Sequence, residues 1–193
     1  MYDATADAYC YPDTTILKNR LGLTSQQALD AFELEASTQR ASESLPVGRL
    51  SVRHYLAIHH HLFQDVYVWA GRTRTVRISK DGSMFCYPEH VQAQLRGLFG
   101  ILRKVAFLRG LPRAIFMAKA AHFLAELNAI HPFREGNGRT QLAFLTLLAA
   151  QAGYPLDIES LDPGEMLEAM IASFGGGEER LREALSRLTP SRA

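Results

Sequence analysis

The chain has 193 residues, a formal net charge of +1, and a composition that is 47% hydrophobic and 21% charged. These values are ordinary for a globular protein, and so weak a net charge argues against nucleic acid or a membrane surface as a direct partner. The apolar runs fall short of the roughly 20 residues needed to span a bilayer. The only cysteines, Cys10 and Cys86, lie far apart and indicate no disulfide scaffold. We therefore expect a cytoplasmic protein with no direct nucleic-acid or membrane partner.

Helical patterns dominate the first third of the chain. Residues 24–44 predict a helix capped by Thr24. Its helical spacing comes from Ala28, Ala31, Phe32, Leu34 and Glu35. Ser51 is the expected cap of a second helix that runs to about residue 67.

Three consecutive histidines, His59, His60 and His61, fall within this second helix. Successive helical side chains point about 100° apart, so three in a row cannot converge on one metal ion. The pattern favours an amphipathic helix with a partly buried histidine over a metal site.

A lone β-hairpin follows the second helix. Residues 72–78 are rich in β-branched types that alternate with arginine, residues 80–83 give a turn signal, and residues 84–86 predict the return strand. A lone hairpin is marginal unless it packs on something, so we expect a surface flap at about residues 74–87. Arg72, Arg74 and Arg77 fit a solvated strand face, with phosphate or target contact as the alternative.

The remainder of the chain reads as helices. Predicted helical segments cover residues 88–107, 112–130, 137–152, 162–174 and 178–188, the last being the terminal helix. The pattern predicts one all-α domain over residues 1–193, into which the hairpin is inserted.

The segment between the fourth and fifth predicted helices, residues 131–138, forms a loop that can bind an anion. Gly136, Asn137 and Gly138 can bring main-chain N–H groups close to a phosphate at a helix N-terminus. Arg139 lies one turn inside that helix and can fork onto phosphate oxygens. Together these residues predict a phosphate cradle.

Two titratable residues add chemistry to this cradle. The carboxylate of Glu135 would repel a phosphate unless a cation such as Mg²⁺ lay between them. A neutral imidazole at His131 could take a proton from an attacking hydroxyl. Taken singly, each feature has a plain structural explanation as a turn, a cap or a core residue. Their occurrence within residues 131–139 favours a phosphoryl or nucleotidyl transfer site, with Phe133 anchoring the loop in the core.

Residues 131–139, His-Pro-Phe-Arg-Glu-Gly-Asn-Gly-Arg, resemble the signature of the Fic family, His-x-Phe-x-(Asp/Glu)-Gly-Asn-Gly-Arg-x-x-Arg. Residues 67–71, 84–86 and 127–130 also look like Fic domains of the bacterial toxin type. So do residues 9–12 and 16–20. The resemblance covers roughly residues 8–190.

The resemblance implies a Fic-type helical bundle that transfers AMP from Mg²⁺–ATP to a Ser, Thr or Tyr hydroxyl of a target protein. It implies that His131 deprotonates the hydroxyl, that Glu135 holds Mg²⁺, and that the phosphates are bound by Gly136, Asn137, Gly138 and Arg139. The hairpin would register the target backbone by β-strand addition. The flap residues assigned to this task are Thr75, Val76, Arg77, Ile78, Ser79 and Phe85.

One position departs from the family signature, because Leu142 stands where the family has its second arginine. In the family that arginine grips the γ-phosphate and pairs with an inhibitory glutamate. Leu142 leaves several alternatives open. The enzyme is weak or uses a nucleotide without a γ-phosphate, or another basic residue takes the place of the arginine. Otherwise the chain is a silent nucleotide-binding module, or it transfers a different phosphate-containing group.

The resemblance to toxin-type members also implies two protein partners. One is a target such as DNA gyrase or topoisomerase IV. The other is a small separate antitoxin that carries an inhibitory helix. In the family this helix contains a glutamate followed by Gly or Asn, and the one such pair in this sequence, residues 135–136, belongs to the active loop.

Overall fold

The computed structural model describes residues 7–80 and 83–189. Within this part of the chain the architecture is all-α, as the sequence predicts, with a single short hairpin. The helices are α1 (Gln26–Ser42), α2 (Val52–Phe63), α3 (Pro88–Lys104), α4 (Arg113–Ile130), α5 (Asn137–Ala152), α6 (Pro163–Phe174) and α7 (Glu179–Arg187). Among the described helices, none is both long enough and apolar enough to cross a membrane.

The chain divides into two compact units. The first unit is the chain up to Gln92 together with His131–Thr140, and the second unit is Ala93–Ile130 with the chain from Gln141 onward. The first unit holds the hairpin and the whole of the segment 131–139, and it is therefore the unit that positions the candidate site.

Helix α1 packs on α2 in the first unit. Ser25, one residue after the predicted cap, is the N-cap of α1 and accepts a hydrogen bond from the Ala28 N–H. None of the five residues that gave the predicted spacing is fully buried, and the helix buries Leu29, Ala36 and Ser37 instead. The true face follows the i, i+3, i+4 spacing from Leu29 and includes polar positions, which a count of apolar residues does not detect.

Helix α2 contributes most of the core of the first unit. Ser51 caps it as predicted and accepts a hydrogen bond from the His54 N–H. The helix ends at Phe63, earlier than predicted, and the following residues Val66 and Tyr67 are buried without being helical. The buried residues of α2 are His54, Tyr55, Ile58, His59, Leu62 and Phe63.

The hairpin is shorter than the sequence pattern predicts. Strand β1 (Ser79–Lys80) pairs antiparallel with β2 (Ser83–Met84), with Ser79 opposite Met84. The predicted strand at 72–78 is wrong, because main-chain groups there bind other parts of the unit. The Arg74 N–H, for example, donates to the Pro132 carbonyl at 2.8 Å. Residues 81–82 of the predicted turn lie outside the described residues.

The second unit is built around α4, which packs on α6 and α7. Helix α4 buries most of its residues, and an exposed stripe that includes Lys119, His122 and Glu126 remains along one side. The rings of Phe99, Phe123 and Phe144 form an aromatic cluster, with centroids 5.2 to 5.8 Å apart.

The helix boundaries after the hairpin lie close to the predicted ones. Helix α5 has the predicted bounds, and Asp162 caps α6 by accepting a hydrogen bond from the Glu165 N–H at 2.9 Å. Because α5 begins at Asn137, the loop of the candidate site is 131–136, two residues shorter than predicted.

Candidate functional site

The motif loop, residues 131–136, is closed by the first residue of α5. The buried side chain of Asn137 accepts a hydrogen bond from the Phe133 N–H at 2.9 Å and donates to the Phe133 carbonyl at 2.8 Å. The Phe133 ring is fully buried and stacks on His59, with centroids 3.7 Å apart. Phe133 therefore anchors the loop as predicted. The amide of Asn137 is used inside the loop, which leaves its main-chain N–H for a phosphate.

His131 is held between the loop backbone and the hairpin. Its φ of 46° is left-handed, which is uncommon for a residue with a Cβ and costs conformational energy. Its carbonyl accepts a hydrogen bond from the Arg74 guanidinium at 2.8 Å. Its ring stacks on that of Phe85 with centroids 3.9 Å apart. These contacts fix the direction in which the imidazole points.

Glu135 lies at the positive end of α5. Its carboxylate accepts a hydrogen bond from the Gly136 N–H at 2.8 Å, and its side chain is 30% exposed. Burial, followed by the negative charge of Glu33, raises the pKa of Glu135. A second anion beside this carboxylate would therefore be unfavourable, whereas a cation would be favourable.

His59 is a buried support of the same loop. Its Nδ1 accepts a hydrogen bond from the Gly71 N–H at 2.8 Å, so the neutral ring carries its proton on Nε2. The Nε2–H group donates a hydrogen bond to the Glu135 carbonyl at 3.0 Å. Burial lowers the pKa of His59 to about 3. The sequence predicted a partly buried histidine in this helix, and His59 is in fact fully buried.

The two glycines of the loop and helix start differ in their surroundings. Gly136 has a φ of +78°, and a Cβ there would lie 2.3 Å from the Phe63 ring. A Cβ on Gly138 would meet nothing within 4 Å. The backbone conformation and the Phe63 ring therefore require glycine at position 136. At Gly138 the missing side chain instead leaves open space at the start of α5.

Arg139 is bound on one side by α1. It forms an ion pair with Glu33 and donates to the Ser37 hydroxyl at 2.8 Å. Its guanidinium carbon lies 4.6 Å from the centroid of the Phe63 ring. The side chain is 37% exposed, and a guanidinium has five donors, so these contacts orient the group without using it up.

The hairpin residues predicted to position a target divide into exposed (Thr75 and Arg77), half-buried (Val76 and Ser79) and buried side chains (Ile78 and Phe85). The Thr75 N–H donates to the Tyr9 hydroxyl at 3.2 Å. The buried pair can act on a target only through the main chain, because their side chains pack inside the unit.

Sequence reasoning missed three residues of this site, namely Glu33, Arg74 and His59. Glu33 lies four residues after Leu29 and therefore on the same, buried face of α1. A carboxylate at such a position needs a partner, and this could have pointed to Glu33. Arg74 is 2% exposed, so the interpretation of a solvated strand face is wrong for it. No sequence signal separates Arg74 from the exposed Arg72 and Arg77.

No group of three or more potential metal ligands occurs among residues 7–80 and 83–189. Leu142 lies on α5, three residues after Arg139, and is half-buried.

The comparisons with known proteins agree with this geometry. The model of the Fic/DOC family matches residues 49–149. A protein of Sinorhizobium fredii named as probable protein adenylyltransferase y4lH is 48% identical over 188 residues, which cover 97% of this chain and 98% of that protein.

Solved structures are similar over nearly the whole chain. The BepC effector protein of Bartonella tribocorum with bound AMPPNP gives a TM-score of 0.88 at 25% identity, covering 96% of this chain and 97% of that chain. The N-terminal Fic domain of a VirB-translocated Bep effector of Bartonella quintana with bound ADP gives 0.85 at 27% identity, covering 95% of each chain.

Proposed function

The chain belongs to the Fic/DOC family, and from this premise we propose that it is a nucleotidyltransferase that moves AMP from Mg²⁺–ATP onto a Ser, Thr or Tyr hydroxyl of a target protein. The observation that carries the proposal is the grouping of a base, a carboxylate, a helix N-terminus and an arginine within residues 131–139, all held in one compact unit. The names of its relatives and the nucleotides bound to its structural neighbours support the same activity.

His131 is the proposed general base. The target hydroxyl oxygen attacks the α-phosphorus of ATP, its proton passes to the His131 imidazole, and the bond to pyrophosphate breaks. The stacking of Phe85 on the imidazole and the fixed His131 carbonyl support this role, because a base must already point at its substrate.

The start of α5 and Arg139 are the proposed phosphate site. The first N–H groups of a helix have no partner within the helix, and its dipole favours an anion there. The N–H groups of Gly136, Asn137 and Gly138 would supply this site, with that of Gly136 shared with the Glu135 carboxylate. Arg139, already oriented by Glu33, would bind phosphate oxygens with its remaining donors.

Glu135 is the proposed protein ligand of Mg²⁺. The fit rests on its partly exposed carboxylate and on the neighbouring negative charge of Glu33, which a cation would offset. When bound, the ion supplies positive charge between this carboxylate and the phosphates. The flap, meaning the hairpin and the residues 75–78 that lead into it, would hold an extended segment of the target.

Labelled ATP tests the activity. We expect label from α-labelled ATP, and none from γ-labelled ATP, to appear on protein in a bacterial lysate. His131→Ala should abolish the signal, while His122→Ala should keep it, because His122 is an exposed histidine of the second unit. Transfer of the γ-label alone would replace AMP transfer with phosphorylation.

A second candidate is a weakened or silent nucleotide-binding module, and Leu142 is the observation that favours it. An apolar side chain supplies no charge to the far end of a triphosphate. Transfer by Leu142→Arg together with none by the wild type would establish this candidate. Equal use of ATP and of α-labelled ADP by the wild type would instead identify an enzyme that does not need the γ-phosphate.

Toxin–antitoxin pairing is the proposed biological setting. The target class proposed is the bacterial type II topoisomerases, and the proposed inhibitor is a small separate protein with a Ser/Thr-x-x-x-Glu-Gly/Asn helix. Purified DNA gyrase and topoisomerase IV, incubated with the chain and α-labelled ATP, test the target. Co-expression with a neighbouring gene product of that pattern tests the inhibitor, which should suppress both labelling and toxicity.

A further inference from the structure

Arg74 is a buried arginine beside the hairpin, and the function proposed above assigns it no step in the reaction. Its guanidinium donates to the His131 carbonyl at 2.8 Å, to the Val76 carbonyl at 2.7 Å, and to the Cys86 carbonyl. Its main-chain N–H donates to the Pro132 carbonyl at 2.8 Å. One residue thus joins the motif loop to the segments that flank the hairpin on both sides.

The chemistry of the guanidinium suits this task. Arginine offers five donors in a rigid planar fork, whereas lysine offers a single compact ammonium group on a flexible chain. The separate donor directions of such a fork suit three carbonyls that come from three separate chain segments. A hydrogen bond from a charged donor is also stronger than one between neutral groups.

The position of these bonds matters because His131 has an unfavourable backbone conformation. Its left-handed φ of 46° persists only if surrounding contacts hold it, and the bond from Arg74 to its carbonyl is one of them. The same fork fixes Cys86, the residue next to Phe85, whose ring stacks on the His131 imidazole. Both the backbone and the ring of His131 therefore depend on Arg74.

We infer that Arg74 is a positioning residue that sets the orientation of His131 and ties it to the placement of the hairpin. The inference rests on the proposed role of His131 as the base. It places Arg74 in the step of proton removal from the target hydroxyl, and not in the binding of the nucleotide, which involves residues 135–139.

The test compares Arg74→Lys with Arg72→Lys in the full chain. Arg72 is exposed, two residues earlier, and serves as the control for loss of a guanidinium. We expect Arg74→Lys to lower kcat for AMP transfer about 10- to 100-fold, since small misplacement of a catalytic group has effects of that size. The Kd for ATP should stay within about twofold of the wild type, and Arg72→Lys should change neither quantity.

A purely structural role for Arg74 would give a different result. ATP affinity and thermal stability would then fall together, with kcat per folded molecule unchanged, and this outcome would overturn the inference. Wild-type kcat in Arg74→Lys would overturn it as well.

NMR of the metal-free protein provides a readout that does not need activity. In Arg74→Lys the imidazole resonances of His131 should shift, while the amide resonances of Gly138 and Arg139 should not. An unmoved His131 would overturn the inference. Absence of AMP transfer by the wild type would count against the proposed function instead, and the NMR comparison would still decide the position of His131.

Discussion

Glu33, on α1, forms an ion pair with Arg139, on α5, although the two residues are 106 positions apart in the chain. The Glu33 carboxylate is only 12% exposed and also accepts a hydrogen bond from the Tyr67 hydroxyl. The arginine proposed to bind phosphate is thus oriented before any ligand arrives. The same carboxylate is close enough to Glu135 to raise its pKa.

Glu33→Gln should therefore lower the pKa of Glu135. Burial is the first cause of the raised pKa and would remain, but the negative charge of Glu33, the second cause, would be gone. The Glu135 carboxyl would then stay ionised to lower pH. The pH below which binding of a divalent metal ion weakens should therefore also move down. A ¹³C titration of the Glu135 carboxyl in metal-free protein measures this directly. Glu35→Gln, an exposed change on the same helix, should leave the titration where it is.

Gly136→Ala and Gly138→Ala should separate folding from nucleotide binding. At Gly136 a methyl group meets a left-handed φ and the Phe63 ring at 2.3 Å, so stability should fall by about 1–3 kcal/mol or more. The displaced ring also lies against the Arg139 guanidinium, so ATP affinity should fall with it.

The matched change Gly138→Ala meets no protein atom within 4 Å and lies in the first turn of α5. It should keep or slightly raise stability, by up to about 1 kcal/mol, because alanine favours the helix. If the start of α5 cradles phosphate, the new methyl group should still weaken ATP binding. Calorimetric titration with ATP, alongside urea unfolding, checks both variants. Unchanged ATP affinity in Gly138→Ala would argue against the cradle.

The structural features that sequence reasoning located correctly are the local ones. The loop glycines, the start of α5 and the Ser51 cap each follow from neighbours within a few residues, so their patterns are visible in the chain. Glu33 and Arg74 were missed because their partners are far away in sequence. Arg74 and His131, for instance, are 57 positions apart. Alternation of arginine with β-branched residues predicted a strand, yet the Arg74 N–H there donates to Pro132 of the motif loop and the Thr75 N–H donates to the Tyr9 hydroxyl.

His59→Gln should change how stability depends on pH. The folded pKa of about 3 lies below the unfolded value of about 6.5, so between these values the unfolded chain binds a proton that the folded chain does not. Stability is thus unaffected by this group above about pH 6.5 and falls as the pH drops below it, by up to about 1.4 kcal/mol per pH unit.

His59→Gln should be less stable than the wild type at pH 7, because it loses the stack on Phe133. Between pH 7 and pH 4.5, however, the free energy of unfolding should fall less in His59→Gln than in the wild type, by on the order of 2 kcal/mol. Urea unfolding at a series of pH values measures both effects, with the exposed His90→Gln as control. Parallel pH profiles for His59→Gln and the wild type would contradict a neutral, buried His59.

Asp7 and Arg134 should show strong energetic coupling. Arg134 of the motif loop donates to the Asp7 carboxylate at 2.6 Å, and the two side chains are only 4% and 8% exposed. Removing one partner leaves an uncompensated buried charge, so Asp7→Leu and Arg134→Met should each cost about 3–5 kcal/mol. The double variant should cost clearly less than the sum, because neither charge then remains. A double-mutant cycle by urea unfolding gives the coupling energy, and strict additivity would mean that the pair does not act as a unit.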